Sequence, residues 1–403
     1  MKGQLHDLAV FGGTPAFQEK LHVGRPNLGN RERLLERIND ILDKRWLTNG
    51  GPYVQEFEQR IADKVGVKHC IVTCNATVAL EIAIRALGLT GEVIVPAFTF
   101  VATAHALSWL GVQPVFCDID GRTHNMDPSL VEELITPVTT GIIPVHLWGR
   151  PCAIDALVDI AQRRKLKLLL DAAHAFGCSY KKRMIGNFGN AEIFSFHATK
   201  FLNSFEGGAV LTNDDDLAAK VRLMKNFGFA GYDNIVCIGT NGKMSEVSAA
   251  MGLTSLESME DLIAVNYRNY MEYRRELADV PGISMVAYDE NEKCNYQYVT
   301  LEIEETATRV NRDQMQHILW AENVLARRYF YPGCHQMEPY RSRQRRAGYS
   351  LWQTERLSRR VLNLPTGTGV RIDSIDAICD ILKLVVARGD EIGQRLKSAS
   401  GLA

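Results

Sequence analysis

The sequence predicts an α/β fold, with a large unit on a mostly parallel central sheet followed by a smaller α+β unit. Three observations carry this. From about residue 68, short β-branched apolar runs alternate with amphipathic helical stretches, the pattern of βα units whose parallel strands are covered on both faces. Beyond about residue 260 the alternation gives way to one long helical stretch and a few separated strands. At 403 residues, 46% hydrophobic and 23% charged, the chain can bury more than one core without disulfide staples.

Taken in order, the first thirty residues, with Gly12, Gly13, Pro15 and Pro26, read as an extended arm. A strand over 69–73 leads into a helix over 77–87, and a strand over 92–95 into a helix near 101–110. The strand at 115–118 is followed by Asp127-Pro128-Ser129, which opens a helix to about 135, because Asp accepts orphan amides and Pro suits the first turn. A strand at 142–146 precedes a helix over 154–165, and a strand over 166–170 ends at Asp171. A polar hairpin at 179–186, strands at 193–196 and 207–212 and a helix over 217–226 complete the large unit. The smaller unit follows a helix over 257–278, with a strand at 296–303, a helix near 312–322 and a terminal helix at 375–387 that Asp373 or Ser374 caps. The expected division is an arm over 1–30, a large unit over 31–260 and a small one over 261–403.

The 46 Lys and Arg against 47 Asp and Glu leave a formal charge of −1, so no overall field favours nucleic acid or an anionic membrane. An anionic ligand must be met locally. Nine scattered cysteines without CxxC or zinc spacing, together with no signal-peptide pattern in the first residues, point to buried thiols in a reducing cytoplasm and to no metal site. The uncharged stretch 93–117 is long enough to cross a bilayer, but Pro96, Thr99, Thr103, His105, Ser108, Gln113 and Pro114 interrupt it, and it reads as strand, helix and strand of a buried sheet.

The motifs of dinucleotide-binding, P-loop, serine-hydrolase and zincin proteins are absent from the sequence, which removes the main support for those chemistries. Asn75-Ala76-Thr77 sits where a strand becomes a helix, and small and hydroxyl residues there either cap the helix or leave its amides free for a phosphate. Asp171 stands at the carboxyl end of an apolar strand, where open α/β sheets bind ligands. A carboxylate there either caps the next turn or pairs with a protonated ring nitrogen. Lys200 is the only Lys in the uncharged run that ends at Glu206-Gly207-Gly208. Surrounded by Phe, Ala, Thr and Leu, its amine either reaches out to water or is destabilised as a cation, which favours imine chemistry.

Together, the helix-start cradle, Asp171 with Ala-Ala-His-Ala-Phe-Gly, Ser195-Phe196-His197-Ala198-Thr199-Lys200 and Glu206-Gly207-Gly208 resemble the DegT/DnrJ/StrS family of pyridoxal phosphate enzymes, chiefly sugar aminotransferases with the type I aspartate aminotransferase fold. The resemblance extends from Pro26 and Trp46-Leu47-Thr48-Asn49-Gly50 through Val95-Pro96-Ala97-Phe98-Thr99-Phe100 to Tyr331-Pro332-Gly333-Cys334-His335 and Leu364-Pro365. It implies that Lys200 carries pyridoxal 5′-phosphate and that Asp171 pairs with the ring nitrogen. Phe100 stacks on the ring and His174 lies near the ring hydroxyl. Asn75, Ala76, Thr77, Ser195 and His197 belong to the cofactor site, with Ala76, Thr77 and Ser195 on the phosphate. Asn241 reaches the partner's phosphate across a homodimer, although the aromatic and Arg usual in that loop are replaced in Thr240-Asn241-Gly242-Lys243-Met244.

Tyr331 and His335 fall in the segment that lines the family's sugar pocket. The basic run Arg341-Ser342-Arg343-Gln344-Arg345-Arg346 suits a nucleotide diphosphate or a solvated loop equally. The implied activity is transfer of an amino group from an amino acid, glutamate in the first instance, to a nucleotide-linked keto-deoxy sugar, with TDP-4-keto-6-deoxyglucose aminated at C4 as the leading substrate. The cofactor takes its pyridoxamine form in the second half-reaction. The rivals are a sugar dehydratase of the same family and a non-catalytic relative. One type of family dehydratase carries His where this chain has Lys200, which argues for transfer.

Overall fold

The computed structural model of the protein describes residues 2–342 and 349–399. Most of the basic run, Arg343 to Arg346, lies outside the described residues. The large sheet has seven strands: β1 (His69–Thr73), β2 (Glu92–Pro96), β3 (Gln113–Cys117), β4 (Thr139–Ile142), β5 (Lys167–Asp171), β6 (Ala191–Ser195) and β7 (Gly208–Thr212), in the spatial order β1-β7-β6-β5-β4-β2-β3. All neighbours run parallel except β7, which is antiparallel to both β1 and β6.

The strands read as continuous apolar runs because both faces are buried, and successive side chains belong to different cores. Ile71, Leu169, Ile193 and Val210 point to the side of the helices Ala76–Ala86, Ala102–Trp109 and Asp215–Met224. Val72, Leu168, Leu170, Phe194 and Leu211 point to the side of Pro52–Val65, Ile154–Arg164 and Glu246–Glu257. The register pairs Gly208 with Thr73 on one side and with Ser195 on the other. The end of β1, the start of β7 and the ends of β5 and β6 therefore open on one edge, which is where the site forms.

A second, antiparallel sheet of β8 (Ile283–Met285), β9 (Val299–Ile303) and β10 (Val361–Leu364) packs against Met259–Leu277, Arg312–Ala321 and Ile372–Ala387 over its own core. The first residues join this core: Leu5 and Leu8 are buried in it, Leu21–His22 pairs with Val324–Leu325, and Glu322 accepts the amides of Ala9 and Ala16, each at 2.7 Å. The stretch expected to be extended thus carries two short 3-10 turns and is tied down by that carboxylate.

Other differences have local causes. The strand expected over 142–146 ends at Ile142, because Pro144 has no amide for the ladder. Beyond it only Val145 keeps a bridge to Asp171. The helix expected over 257–278 forms as Met259–Leu277, and a separate helix that was not expected, Glu246–Glu257, precedes it across Ser258. The one expected from Pro128 to about 135 is α-helical to Val131 and 3-10 over Glu132–Leu134. Ile372, rather than residue 375, starts the helix to Ala387, and neither Asp373 nor Ser374 caps it. Asp373 instead pairs with Arg371. A further helix, Gly389–Ala399, follows. Among the described residues no helix is long and apolar enough to cross a membrane. The stretch 93–117 forms the expected strand, helix and strand, and all nine cysteines are free thiols.

Candidate active site

Asp171 is the last residue of β5 and is only 5% exposed. Its Oδ2 accepts the Thr103 hydroxyl at 2.8 Å and its Oδ1 the Ala173 amide at 3.1 Å. Burial pushes the carboxyl pKa upward, against the opposing effects of these two donors and of the Lys200 charge. Lys200 follows β6 by five residues, in the turn that leads back toward β7. Burial lowers its pKa from the ordinary 10.5 to about 8, with Asp171 pulling the other way. The Lys200 amine donates to the hydroxyl of Tyr298 at 3.4 Å.

The wall beside Lys200 is aromatic. His174 stacks on Trp148 at 6.2 Å between centroids and meets Tyr298 at 4.7 Å, while Trp148 stacks on Phe330 at 5.4 Å. Burial, followed by the Lys200 charge, holds the His174 pKa well below that of a free imidazole. Phe100 edges this cluster, with its ring 6.3 Å from that of Phe330, and is 57% exposed.

At the end of β1, Asn75 caps the helix Ala76–Ala86, its Oδ1 accepting the Val78 amide at 2.9 Å. The Asn75 side chain is thus engaged in the cap, and the first-turn amides of Ala76 and Thr77 lie at the positive end of the helix. A Cβ on Gly208 would come within 2.6 Å of the Ala76 amide nitrogen, so glycine is what lets β7 approach this turn. Ser195 is buried opposite Gly208, and its Oγ accepts the His197 amide at 3.4 Å. The His197 ring turns to Thr199 at 2.8 Å and to Glu206 at 3.4 Å. A poised amine, a buried carboxylate and an anion cradle on one edge suit imine chemistry on a phosphate-bearing carbonyl compound.

The profile of the DegT/DnrJ/EryC1/StrS aminotransferase family matches residues 29–383. The chain belongs to this family. The solved structure of DesI in the presence of its TDP-sugar product superposes with a TM-score of 0.94 at 51% identity, over 98% of this chain and 100% of that one. A dTDP-4-amino-4,6-dideoxy-D-glucose transaminase of Shigella dysenteriae is 40% identical over 316 residues, 78% of this chain and 86% of that protein. GDP-perosamine synthase of Caulobacter vibrioides is 34% identical over 377 residues, 91% of this chain and 98% of that protein.

In this aminotransferase, Phe100 also borders a groove of about 360 Å³ lined by Trp320, Arg327, Arg328, Phe330 and Tyr331. Tyr331 is 43% exposed and lies between the guanidinium groups of Arg312 and Arg328, 5.3 and 4.6 Å from its ring. His335 is buried beside Phe116, with Nε2 3.3 Å from Glu355. Asn241 bridges to Asn226 and accepts the Lys243 amine at 2.7 Å. Its loop exposes Phe227, Phe229, Tyr232, Ile235 and Ile238. Cys74, just before the cradle, donates its amide to Gly242 at 2.8 Å, which ties this loop to the cradle of the same chain.

Sequence reasoning missed Thr103, Trp148, Tyr298 and Phe330. Thr103 lies one helical turn beyond Phe100, so proximity could have flagged it. Tyr298 is 98 positions from Lys200, and nothing local in the sequence joins the two.

Proposed function

We propose that this enzyme transfers an amino group from L-glutamate to C4 of TDP-4-keto-6-deoxyglucose, using pyridoxal 5′-phosphate bound at Lys200. The observation that carries this reading is the depressed Lys200 amine beside the buried Asp171, on the edge that also holds the glycine-opened cradle. These groups fit the cofactor. Asp171 offers an acceptor to a protonated ring nitrogen, the Ala76 and Thr77 amides with the Thr77 and Ser195 hydroxyls suit a phosphate, and the exposed Phe100 side chain covers a planar ring. His174 would lie beside the ring hydroxyl, and Asn75 and His197 would hold the cradle in shape.

When bound, the cofactor supplies an electron sink for the carbon that loses its proton. Lys200 Nζ takes that proton from the α-carbon of the amino donor and returns it, acting first as base and then as acid. A pKa of about 8 keeps roughly a tenth of such an amine neutral at pH 7, against well under one part in a thousand for an ordinary Lys. Asp171, fixed by Thr103 and Ala173, would hold a protonated ring nitrogen as its acceptor. The aromatic wall excludes water, and Tyr298 holds the amine when it is not carrying a proton away.

The similarity to dTDP-4-amino-4,6-dideoxy-D-glucose transaminases supports the TDP nucleotide and the C4 position, and the similarity to DesI with its TDP-sugar product supports the nucleotide. The groove from Phe100 to Tyr331, with Arg327 and Arg328 at its side, suits a nucleotide sugar, and we place Tyr331 and His335 among the substrate contacts. The enzyme works as a cytoplasmic homodimer in which Asn241 of the partner subunit reaches the phosphate. The exposed aromatic loop around Tyr232 and the nine free thiols support this. The large unit spans 31–260 and the small one 261–403.

The test is incubation with glutamate and a panel of TDP-, UDP- and GDP-linked 3-keto and 4-keto sugars, read by product mass and NMR. Amination of the TDP 4-keto sugar at C4 in preference to the others is expected. Dehydration without amine transfer, or preference for another nucleotide or carbon, overturns the assignment. Lys200→Ala is expected to retain cofactor and lose turnover.

A further inference from the structure

Three side chains outside the family motifs join His174 to the small sheet. Trp148 is fully buried and has φ 62°, a left-handed conformation rare for a bulky residue and held only where its surroundings demand it. Two groups on Trp148 donate. Its backbone amide donates to His174 Nδ1 at 3.3 Å, and its indole Nε1 donates to His124 Nδ1 at 3.1 Å.

An imidazole nitrogen that accepts a hydrogen bond carries no proton, so the proton sits on the other ring nitrogen. His124 is fully buried, and its remaining nitrogen, Nε2, lies 3.0 Å from Glu302 Oε1. Glu302 is on β9, and its pKa is lowered despite burial, with His124 among the causes. The carboxylate therefore accepts from His124 Nε2–H, which leaves His124 Nδ1 bare to accept the indole N–H. The indole is held in place against His174 and Phe330, and its backbone N–H is held against His174 Nδ1.

We propose that Glu302, His124 and Trp148 are positioning residues that lock His174 as a neutral imidazole protonated at Nε2, so that it can only donate from that atom. This rests on the reading that a pyridoxal ring occupies the site, where the ring hydroxyl oxygen needs a donor. A His free to rotate or to change tautomer would serve as well as an acceptor, and the relay removes that choice. The small unit thereby sets the chemistry of a residue on the large one.

The test begins with the protein free of cofactor, labelled with 15N at the histidine rings and examined by solid-state NMR, with His174→Gln and His124→Gln used to assign the signals. Both rings are expected neutral at pH 7.5, with a bare Nδ1 and a protonated Nε2. A proton on Nδ1 of either ring, or an imidazolium at His174, overturns the proposal whatever the cofactor does. The second arm compares Glu302→Leu with Glu302→Gln, whose amide oxygen can still accept from His124, and Trp148→Phe, which keeps the ring but removes the indole donor.

Glu302→Gln should keep the His174 tautomer and the absorption bands of added pyridoxal phosphate. Glu302→Leu and Trp148→Phe should each give a mixture of His174 tautomers and a changed ratio of the bands, with kcat lowered at least fivefold and KM within twofold. Wild-type tautomers and bands in both disruptive variants refute the relay. Correct tautomers with no cofactor bands in the wild type would leave the relay standing and refute the pyridoxal reading instead.

Discussion

Replacing Lys200 by Met keeps the length of the side chain and removes the amine, so it isolates the electrostatic strain at the site. The folded-state pKa of about 8 lies below the ordinary 10.5, so the folded chain binds fewer protons than the unfolded chain between those two values. Stability of the cofactor-free wild type then rises with pH across that window and is penalised by the full amount below it. At 1.36 kcal/mol per unit the full penalty is about 3 kcal/mol. The Lys200 side chain is half-buried rather than sealed, and solvent screening brings this to about 1–2 kcal/mol.

Lys200→Met should therefore be more stable than the wild type at pH 7, with the difference shrinking as pH rises from about 8 to 10.5. Other Lys and Tyr groups titrate in both proteins and cancel in the difference. Loss of the Lys200 charge also raises the Asp171 pKa, but that acts on the acid side and leaves the window clear. Urea unfolding of both proteins, without cofactor, at four pH values across the window measures the effect. A difference that stays flat or widens with pH would refute the claim that burial depresses this amine.

Thr103→Val preserves shape and removes the hydroxyl that Asp171 accepts at 2.8 Å. A hydrogen bond to a charged group contributes about 1.5–3 kcal/mol, so pyridoxal phosphate should bind roughly tenfold or more weakly, read by equilibrium dialysis. Gly208→Ala would drive a Cβ to within 2.6 Å of the Ala76 amide. Loss of phosphate-bearing ligands with near-normal circular dichroism is expected, and unchanged binding would show that the cradle lies elsewhere. Asn75→Ala should lower stability by about 1 kcal/mol through the lost cap, measured by thermal unfolding, with a smaller effect on cofactor binding than Gly208→Ala. In the proposed homodimer, Tyr232→Glu should weaken self-association in sedimentation velocity and lower activity with it, because Asn241 of the partner subunit would then be withdrawn.

The seven-strand sheet was legible because its signals are local. Strands buried on both faces must be apolar throughout, and the helices between them must be amphipathic, so β1, β2, β3, β5, β6 and β7 appeared within a few residues of their bounds. One misreading fell where a single residue overrode the pattern, Pro144 breaking the ladder, and the buried helix Glu246–Glu257, which has no clear amphipathic face, went unread. The N-terminal stretch has little periodicity of its own. Its turns depend on Glu322, about three hundred positions away, and no local reading reaches that far.

The sequence by itself determined the fold class and the family, and it singled out Asp171, Lys200, Ser195 and the Asn75-Ala76-Thr77 turn as candidates for the site. Each of these sits at an element boundary, where chain direction and residue type together state a purpose. Only the tertiary structure decided the environment that makes them useful. Thr103 turns Asp171 into a fixed acceptor, and burial lowers the pKa of the Lys200 amine, which rests against the Tyr298 hydroxyl. Glu302, His124 and Trp148 choose which nitrogen of His174 holds its proton. These effects depend on desolvation and on hydrogen bonds between distant segments, and neither is written in the local order of residues.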